Sequence, residues 1–434
     1  MKIIGDRDRL LEATKVARRF TDKSPGTLDA HQTILVVGDV DNDSVKFIAN
    51  HPESGVEFSS YDFKVEGDKD KSDMFQINAH HIVTALSTMP NGDVSIQSDS
   101  SKNRLSIESL DSSNRAPYAH LDTFKREDDY DLPQVGEVPK DARSVRISSE
   151  EFIAGVSATV QNVNNVGPTS GLYLGTLDDL LDGRLVFVGG SQLAFSYYSV
   201  EPVEAKGSSL DNFPSVLLDV GTIGDVLSMV QAGETVEIRP TTEGVHYFVR
   251  DADDTVLSHV RGAMLSQSAT EFPATQIMGI FKQIIVNSKM RVVVDRAELL
   301  SKLSSGIQMD ELEVKQSPGF LRLTVSQGDD DQGPYVGVQT ISSRSDWEGF
   351  AEAQSVTDLE DEDDDAVLRI HWKSREAAFN SVPGDEVFVL HIGFQDGNPY
   401  ALFVTGDPDE QVDVENGTLP PKFGLSTGLE AKDD

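Results

Sequence analysis

Few residues in this chain have the types and the spacing that catalysis needs. The chain contains no cysteine, which excludes disulfides, thiolate metal sites and cysteine nucleophiles. It has no Gly-Lys-Ser/Thr loop to cradle phosphates and no His-Glu-x-x-His helix to hold a catalytic zinc ion. We therefore predict no catalytic residue and no cofactor.

Two short groups of metal-binding residue types remain. His80 and His81 are adjacent, so on a helix their side chains point about 100° apart and are poorly placed to bind one ion. The run 39–43 imitates the start of a calcium-binding loop. Its sixth position is Ser44 instead of glycine, and its twelfth is Asn50 instead of glutamate. We predict a β-turn at 39–43 and no metal site.

The elements that would position any functional residue repeat three times. In the first signal a strand runs into a capped helix, and its apolar doublet begins at positions 10, 152 and 299. In the second signal a helix ends in a Gly-acid turn that enters a strand, at Gly92, Gly233 and Gly384. Two independent signals with nearly the same period predict three copies of one domain.

Each copy is predicted to fold as an α+β domain, with two helices packed on antiparallel sheets. The domain boundaries follow from Pro-bearing joins and from the loss of apolar periodicity after residue 406. We predict copy one at 1–135, copy two at 136–280, copy three at 281–406 and an acidic, disordered tail at 407–434.

Composition narrows the class of protein further. A length of 434 residues suits two to four domains of about 100–200 residues each. The longest apolar runs, such as 284–286 and 292–294, fall far short of the ~18 residues that a membrane span needs. The first residues enter a strand directly, without a signal-peptide pattern. We therefore expect a cytoplasmic protein with no membrane partner.

The chain is strongly acidic, with a formal net charge of −36. Much of the excess lies in predicted loops and in the tail, which is typical of a highly soluble protein or of a salty habitat. An acidic total does not exclude a nucleic-acid partner, because binding depends on which face carries the basic groups.

Three local segments resemble one known family. Asp182-Gly183-Arg184-Leu185 and the following 189–194 are similar to a strand and turn of the bacterial sliding clamp, the β subunit of DNA polymerase III. Glu271-Phe272-Pro273 with Ile277 resembles the loop that leaves the clamp's middle domain, and 294–300 resembles the opening of its third domain. The likeness to this bacterial and phage family spans about residues 1–405.

The resemblance implies a function and partners. Family members are ring-shaped, head-to-tail homodimers of six domains that encircle duplex DNA without reading its sequence. They tether the replicative DNA polymerase and other DNA-processing proteins, and a clamp loader places them on DNA. A clamp of this kind is a non-catalytic processivity factor in the cytoplasm, at the nucleoid or, if phage-encoded, in the host.

By the same resemblance, helices line the central channel and their basic residues meet phosphates. The expected channel residues are Lys15, Arg18, Arg19, Lys23, His80, His81, Arg296, Lys302, Lys373 and Arg375. The helices predicted in copy two carry no Lys or Arg, so any DNA contact there depends on loops.

The resemblance also implies two protein-binding surfaces. A hydrophobic pocket for partner peptides is expected between copies two and three, and it would comprise Thr169, Gly190, Ser191, Gln192, Leu193, Pro273, Ile277, Met278, Leu402 and Val404. The dimer contact would join copy one to copy three of the next chain, with Tyr118 and Ile307 as its apolar groups.

Two other classes of protein stay open on sequence grounds. A hydrolase or nucleotide-processing enzyme would gather scattered carboxylates in one cleft of the α+β scaffold. A virion or scaffold protein built from repeats would show no difference in charge between its faces.

Overall fold

The structure is a computed structural model of the 434-residue chain. It describes all residues except 23–28, 68–73, 111–116, 125–131, 140–141, 164–168, 178–183, 192–193, 204–209, 211–212, 231–233, 264, 266–268, 314–319, 329–332, 342–346, 359–365, 372–378, 380–381, 383, 385, 396–397, 408–421 and 428–434.

The chain forms two compact units. Unit 1 comprises Met1–Ser149, Val203–Ser209 and Gly221–Met264. Unit 2 comprises Glu150–Pro202, Leu210–Val220 and Leu265–Asp434.

The two repeated sequence signals meet in space in every copy. In each copy, the strand that precedes the first helix pairs antiparallel with the strand that follows the Gly-acid turn. The paired residues include Gly5 with Val94, Ile147 with Val236, and Val294 with Phe388. The first N–H of each helix donates to a carbonyl of that turn: Arg7 to Gly92 at 2.9 Å, Ser149 to Glu234 at 2.7 Å and Arg296 to Glu386 at 3.0 Å. The three copies therefore share one strand-helix-strand plan.

In its described residues, copy one supplies two helices and nine strands. Helix α1 spans Arg7–Arg19 and helix α2 spans Ala79–Thr88. The strands are β1 Lys2–Asp6, β2 Thr33–Asp39, β3 Ser44–His51, β4 Ser54–Ser60, β5 Lys64–Glu66, β6 Met74–Asn78, β7 Asp93–Asp99, β8 Arg104–Ser109 and β9 Tyr118–Asp122.

Copy two supplies α3 (Ser149–Thr159) and α4 (Val220–Leu227), and a further helix, α5 (Ala274–Val286), crosses the predicted boundary between copies two and three. The strands of copy two are β10 Val145–Ser148, β11 Leu172–Thr176, β12 Leu185–Gly190, β13 Ala194–Val200, β14 Val216–Leu218, β15 Thr235–Pro240, β16 Val245–Arg250 and β17 Val256–Gly262.

Copy three contains the long helix α6, Arg296–Glu313. Its strands are β18 Ser288–Asp295, β19 Phe320–Ser326, β20 Tyr335–Thr340, β21 Glu348–Asp358, β22 Ala366–His371, β23 Val387–Gln395 and β24 Asn398–Thr405, followed by β25 Lys422–Thr427.

The described strands form three antiparallel sheets. Unit 1 holds a five-stranded sheet in the order β5-β1-β7-β8-β9 and an eight-stranded sheet in the order β10-β15-β16-β17-β4-β3-β2-β6. Unit 2 holds a twelve-stranded sheet in the order β14-β11-β12-β13-β25-β24-β23-β18-β21-β20-β19-β22. The predicted α+β class is confirmed.

The first helix shows how the pattern produces the core. Asp6 caps α1 by accepting hydrogen bonds from the N–H groups of Asp8 and Arg9 at 3.0 and 3.1 Å. Leu10 and Ala17 lie on the same face, two turns apart, and are fully buried. Burying a leucine side chain contributes roughly 1.5–3 kcal/mol. The opposite face of α1 is left for charged residues.

The calcium-like run forms the predicted turn. Asp39 Oδ1 accepts hydrogen bonds from the backbone N–H groups of Asp41 and Asn42, at 3.0 and 3.2 Å, between strands β2 and β3. The carboxylate of Asp39 is thus engaged in closing the hairpin.

The prediction of a wholly disordered tail is wrong for Lys422–Thr427. These residues form β25, which pairs antiparallel with β13 on one side and with β24 on the other. Each of those strands has one edge that its own hairpin leaves unpaired, and a hydrogen-bonded strand satisfies both edges at once. The other predicted tail residues, 408–421 and 428–434, lie outside the described residues.

Candidate nucleic-acid interface and partner pocket

Helix α1 presents its basic residues on the face opposite the core. Lys15 and Arg19 are exposed and Arg18 is half-buried, while Leu11, Thr14 and Ala17 face inward. Neither Lys15 nor the Arg18 side chain has a hydrogen-bond or ion-pair partner in the part of the chain that the structure describes. Their charges are therefore available to an external anion.

Arg19 is held by copy two. Its guanidinium Nη1 lies 3.2 Å from Asp225 Oδ1 and 3.3 Å from Ser228 Oγ, at the end of helix α4. The pair is partly exposed, so it stabilises the fold by at most about 1 kcal/mol. It does reduce the positive field that α1 would otherwise offer at this point.

Helix α2 begins beside a cleft of copy one. Asn78 Oδ1 caps the helix by accepting from the N–H groups of His80 and His81 at 3.0 and 3.2 Å, and both imidazoles are exposed. Their ring centres are 6.3 Å apart. The cleft, of about 570 Å³, is lined by Asn78, His81, His120, Leu121, Asp122, Thr123 and Phe124.

In copy three the two channel candidates that the structure describes, Arg296 and Lys302, have different surroundings. Arg296 donates from Nη1 to the carbonyls of Val382 and Gly384, both at 2.6 Å, and its guanidinium carbon lies 4.7 Å from the centre of the Phe388 ring. The Arg296 side chain is therefore used for contacts inside its own domain, and we do not propose it as a phosphate contact. Lys302 is half-buried, with its stem near Gly349. Lys23, Lys373 and Arg375 lie outside the described residues.

In copy two a group of arginines lies on strands of the sheet, which sequence reasoning did not identify. Glu237, only 3% exposed, sits among Arg146, Arg239 and Arg250, with separations of 3.5 Å to Arg146 and 2.9 Å to Arg250. Burial acts to raise the pKa of Glu237, but hydrogen bonds from Arg239 and Ser144 and the nearby charges outweigh it and lower that pKa. These arginines are engaged in a buried ion-pair network.

The structure describes eight of the ten residues predicted for the partner pocket. Gly190 ends strand β12, and the N–H of the next residue, Ser191, donates to the Ala194 carbonyl at 2.8 Å to form a tight turn. A side chain at Gly190 would collide with Phe195, 2.5 Å away, and would lie 3.7 Å from Ile277. Thr169 and Pro273 are half-buried. Gln192 and Leu193 lie outside the described residues.

Helix α5 carries two of the predicted pocket residues into a buried apolar cluster. Ile277 and Met278 are 2% and 0% exposed, and they pack with Phe281, Tyr197 and Phe403 in one apolar cluster. The sequence carried a signal for this helix, because Ile277, Phe281, Ile284 and Ile285 follow helical spacing.

The assignment of Leu402 and Val404 to the pocket stays a prediction. Both are buried in the core of copy three, whereas Ala401 and Phe403 of the same strand pack against the α5 cluster. Successive residues of a strand point to opposite faces, so a one-residue shift moves a side chain to the other side of the sheet. Ala401 and Phe403 are therefore the residues of β24 on the same side of the sheet as helix α5.

The two dimer candidates differ in exposure. Tyr118 is 68% exposed on β9, the edge strand of the five-stranded sheet. Ile307 is 7% exposed and packs in the copy-three core with residues such as Leu303 and Leu321. Because its side chain is used inside its own protomer, we withdraw Ile307 as an interface residue.

The tail holds one string with the spacing of a serine-nucleophile elbow, Gly424-Leu425-Ser426-Thr427-Gly428. That motif requires a sharp turn from a strand into a helix. Ser426 instead lies within β25, opposite Ala194 and Leu402. Among the described residues, no three His, Asp or Glu side chains are grouped so that they could hold a metal ion.

No described helix is both long enough and apolar enough to cross a membrane. No sequence-family model matches the chain, and no curated protein matches it by sequence.

Solved structures of sliding clamps match the chain from end to end. The β subunit of Streptococcus pyogenes DNA polymerase matches with a TM-score of 0.72 at 10% identity. The DNA polymerase III β subunit of Borrelia burgdorferi, solved with a natural product, matches with 0.69 at 12%, and the Caulobacter crescentus clamp with 0.65 at 15%. In each case 100% of this chain and 100% of that chain are covered. The chain therefore has, over its whole length, the fold of the DNA polymerase III β subunit sliding clamps, and the resemblance seen in its sequence is confirmed at the level of the fold.

Proposed function

We propose that this chain is the protomer of a DNA sliding clamp. Two copies would close head to tail into a ring of six domains around duplex DNA and would tether a replicative polymerase and other DNA-processing proteins. The observation that carries the proposal is the full-length match to sliding clamps by a chain with three copies of one strand-helix-strand plan. The protein would act as a non-catalytic processivity factor.

The sheet edges support closure of such a ring. Strand β9 of copy one and strand β22 of copy three each end a sheet, so each has one edge that is unpaired among the described residues. A heterologous contact between two different surfaces produces a closed ring when its rotation closes after two copies. Tyr118, exposed on β9, is the apolar residue that we place in this contact.

The basic residues support a weak, sequence-independent contact with DNA. We propose that Lys15, Arg18, His80, His81 and Lys302 face the phosphates, with Lys23, Lys373 and Arg375 as further predicted contacts. Arg19 would contribute only where its pairing with Asp225 opens. So few contacts favour sliding over tight binding, because each neutralised phosphate adds to affinity.

For partner proteins we propose the region around Gly190, Ser191, Thr169 and Pro273, with Gln192 and Leu193 as predicted members at its rim. Ile277 and Met278 would belong to its floor, beneath the apolar contacts already made by α5. A DNA polymerase and a clamp loader are the proposed partners.

Encirclement can be tested without a loader. The protein is mixed with linear duplex DNA that carries biotin at both ends, and streptavidin is then added to block the ends before dilution into salt of about 0.5 M. We expect retention on end-blocked DNA and loss from open-ended DNA, because salt at that level screens phosphate contacts but leaves a closed ring in place.

A restriction cut in the blocked DNA serves as the control, since it should release the retained protein. Equal loss from blocked and open DNA, in a protein shown by sedimentation to be a dimer, would contradict encirclement.

A further inference from the structure

The C-terminal strand β25 lies between two strands that, among the described residues, do not pair with each other. Its residues pair with β13 from Ala194 opposite Ser426 to Tyr198 opposite Lys422. On its other side it pairs with β24 from Ala401 opposite Thr427 to Val404 opposite Gly424. In the sheet order of unit 2, as far as the described residues show it, β25 joins the β14-β11-β12-β13 group to the β24-β23-β18 group.

Without β25, both neighbours would become edge strands. Within the described residues, β13 otherwise pairs only with β12, and β24 only with β23. Two facing edges with free N–H and C=O groups form a slot that accepts one extended segment, antiparallel to each. This is the geometry of recognition by strand addition, in which backbone hydrogen bonds provide affinity and alternate side chains provide specificity.

The slot reaches the candidate partner pocket. Ser426 is opposite Ala194, and the Ala194 carbonyl accepts the hydrogen bond that closes the turn at Ser191. Leu425 is opposite Phe195, whose ring lies 6.5 Å from that of Phe281 on helix α5. A segment bound in this slot therefore runs along the edge of the turn and the helix that we propose for partner binding.

The chain also keeps its own occupant close to the slot. Strand β24 ends at Thr405 and β25 begins at Lys422, so only residues 406–421 separate them. A tether of this length gives the attached segment an effective concentration on the order of millimolar. Any partner must compete with that concentration.

We propose that the slot between β13 and β24 is a docking site for an extended segment of a partner protein, and that β25 occupies it in cis as a competitor. The partner binds by replacing β25 strand for strand. That the partner belongs to the replication machinery rests on the proposed clamp function; the strand exchange itself does not.

The test uses the full chain and a synthetic, fluorescent peptide of residues 419–429 as the probe. The chain has no cysteine, so Ala194→Cys with Ser426→Cys introduces a single thiol pair. Directly opposite residues of antiparallel strands have Cα atoms about 4.5–5.5 Å apart, which suits a disulfide. Oxidation should lock β25 in place and abolish binding of the probe in fluorescence anisotropy, and a reductant should restore it.

A second variant opens the slot. Gly424 is opposite Ser196 on one side and Val404 on the other, so Gly424→Pro removes an N–H from the middle of β25. We expect this variant to bind the probe about 10-fold more tightly than the wild type, because the tethered competitor is weakened. Gly417→Pro, in the same tail but outside the strand, is the matched control and should bind like the wild type.

Two outcomes of these measurements would contradict the proposal. Equal binding by the oxidised and reduced thiol variants, or equal binding by Gly424→Pro and Gly417→Pro, would overturn the proposal. The measurement on the thiol variant remains informative even where the proline variant folds poorly. Neither arm contains DNA, so failure of the encirclement assay would leave this result unaffected, and the converse also holds.

Discussion

A single carboxylate reduces the positive charge that helix α1 can offer to an anion. Lys15 and Arg18 are unpaired among the described residues, whereas the neighbouring Arg19 is turned toward Asp225 of copy two. In a chain of net charge −36, each such pairing removes a large share of the local attraction for phosphate.

We expect Asp225→Asn to raise non-specific affinity for duplex DNA several-fold and to steepen its salt dependence by about one phosphate contact, because Arg19 becomes available. Lys15→Ala with Arg18→Ala should change both quantities in the opposite direction. The measurement is fluorescence anisotropy with a duplex at several salt concentrations. Asp99→Asn, in the β7–β8 turn, is the charge-matched control, and an equal effect from it would contradict a specific role for Arg19.

His391 is a buried titratable residue whose protonation affects the stability of the fold. It is 2% exposed, and its Nε2 has no hydrogen-bond partner among the described residues. Burial, with a smaller contribution from the charge of Arg291, lowers its pKa to about 3. The folded protein therefore keeps this imidazole neutral at pH values where the unfolded chain binds a proton.

The sign of the pH effect follows from that difference. The stability due to neutral His391 is fully present above the unfolded pKa of about 6.5 and is lost as pH falls toward 3. We expect the stability gap between the wild type and His391→Gln to shrink by about 2 kcal/mol between pH 8 and pH 5. Urea unfolding followed by tryptophan fluorescence reports on unit 2, whose residue ranges include both tryptophans, Trp347 and Trp372. A gap that stays constant over this range would contradict the assignment.

At the scale of elements, the repeated Gly-acid turn depends on left-handed backbone. Gly92 and Gly384 occupy matching turns with φ of +116° and +111°. A Cβ at Gly92 would meet nothing within 4 Å, whereas one at Gly384 would lie 2.8 Å from the Gly406 carbonyl oxygen. The same turn is thus constrained by conformation alone in copy one, and by conformation and contact in copy three.

We expect Gly92→Ala to lower the free energy of unfolding by about 1 kcal/mol and Gly384→Ala to lower it by clearly more. Gly224→Ala, in the interior of α4 with open space around it, should raise stability by about 0.5–1 kcal/mol. Chemical denaturation measures all three. If Gly384→Ala lowered the free energy of unfolding no more than Gly92→Ala, the close approach to Gly406 would not contribute to the constraint at this turn.

The sequence predicted those elements whose signals are local. The cap at Asp6, the turn at Gly92 and the apolar doublet at Leu10 each depend on neighbours within a few residues, so the sequence alone was enough to recognise their repetition. Strand β25 was missed because its reason lies in the open edges of β13 and β24, and β13 is distant in sequence. The face of β24 that carries Leu402 could not be predicted, because a resemblance fixes a position to within a residue, and one residue reverses the face of a strand.

The site was predictable only in part, for similar reasons. Helical spacing placed Lys15 and Arg18 on an outward face. Nothing local in the sequence indicated that Arg19 would meet Asp225 or that Arg296 would bind the carbonyls of Val382 and Gly384, because these contacts depend on tertiary packing.

At the scale of the whole molecule, ring closure would have to work against the repulsion of two highly acidic chains. A short apolar contact and edge-strand pairing act at close range, and salt weakens the opposing long-range field. We therefore place closure at the β9 edge, where Tyr118 is exposed.

We expect Tyr118→Asp to shift the protein toward the monomer by about 10-fold or more in dissociation constant, since it adds a negative charge to a desolvated contact. Sedimentation equilibrium at moderate salt measures the shift. Tyr61→Asp makes the same change at another exposed tyrosine of copy one, 57% exposed, and should leave the dimer intact. Equal weakening by both variants would point to net charge instead of a contact at β9.

The position of β25 also has a consequence for synthesis of the protein. β13 ends at Val200, and the strand that covers its edge does not begin until Lys422. At translation rates of about 5–20 residues per second, roughly 10 to 45 s separate the emergence of the two strands from the ribosome. Throughout that interval the nascent chain presents a bare β-edge to other nascent chains, so chaperone demand should peak in the last half of translation and end when the final strand docks.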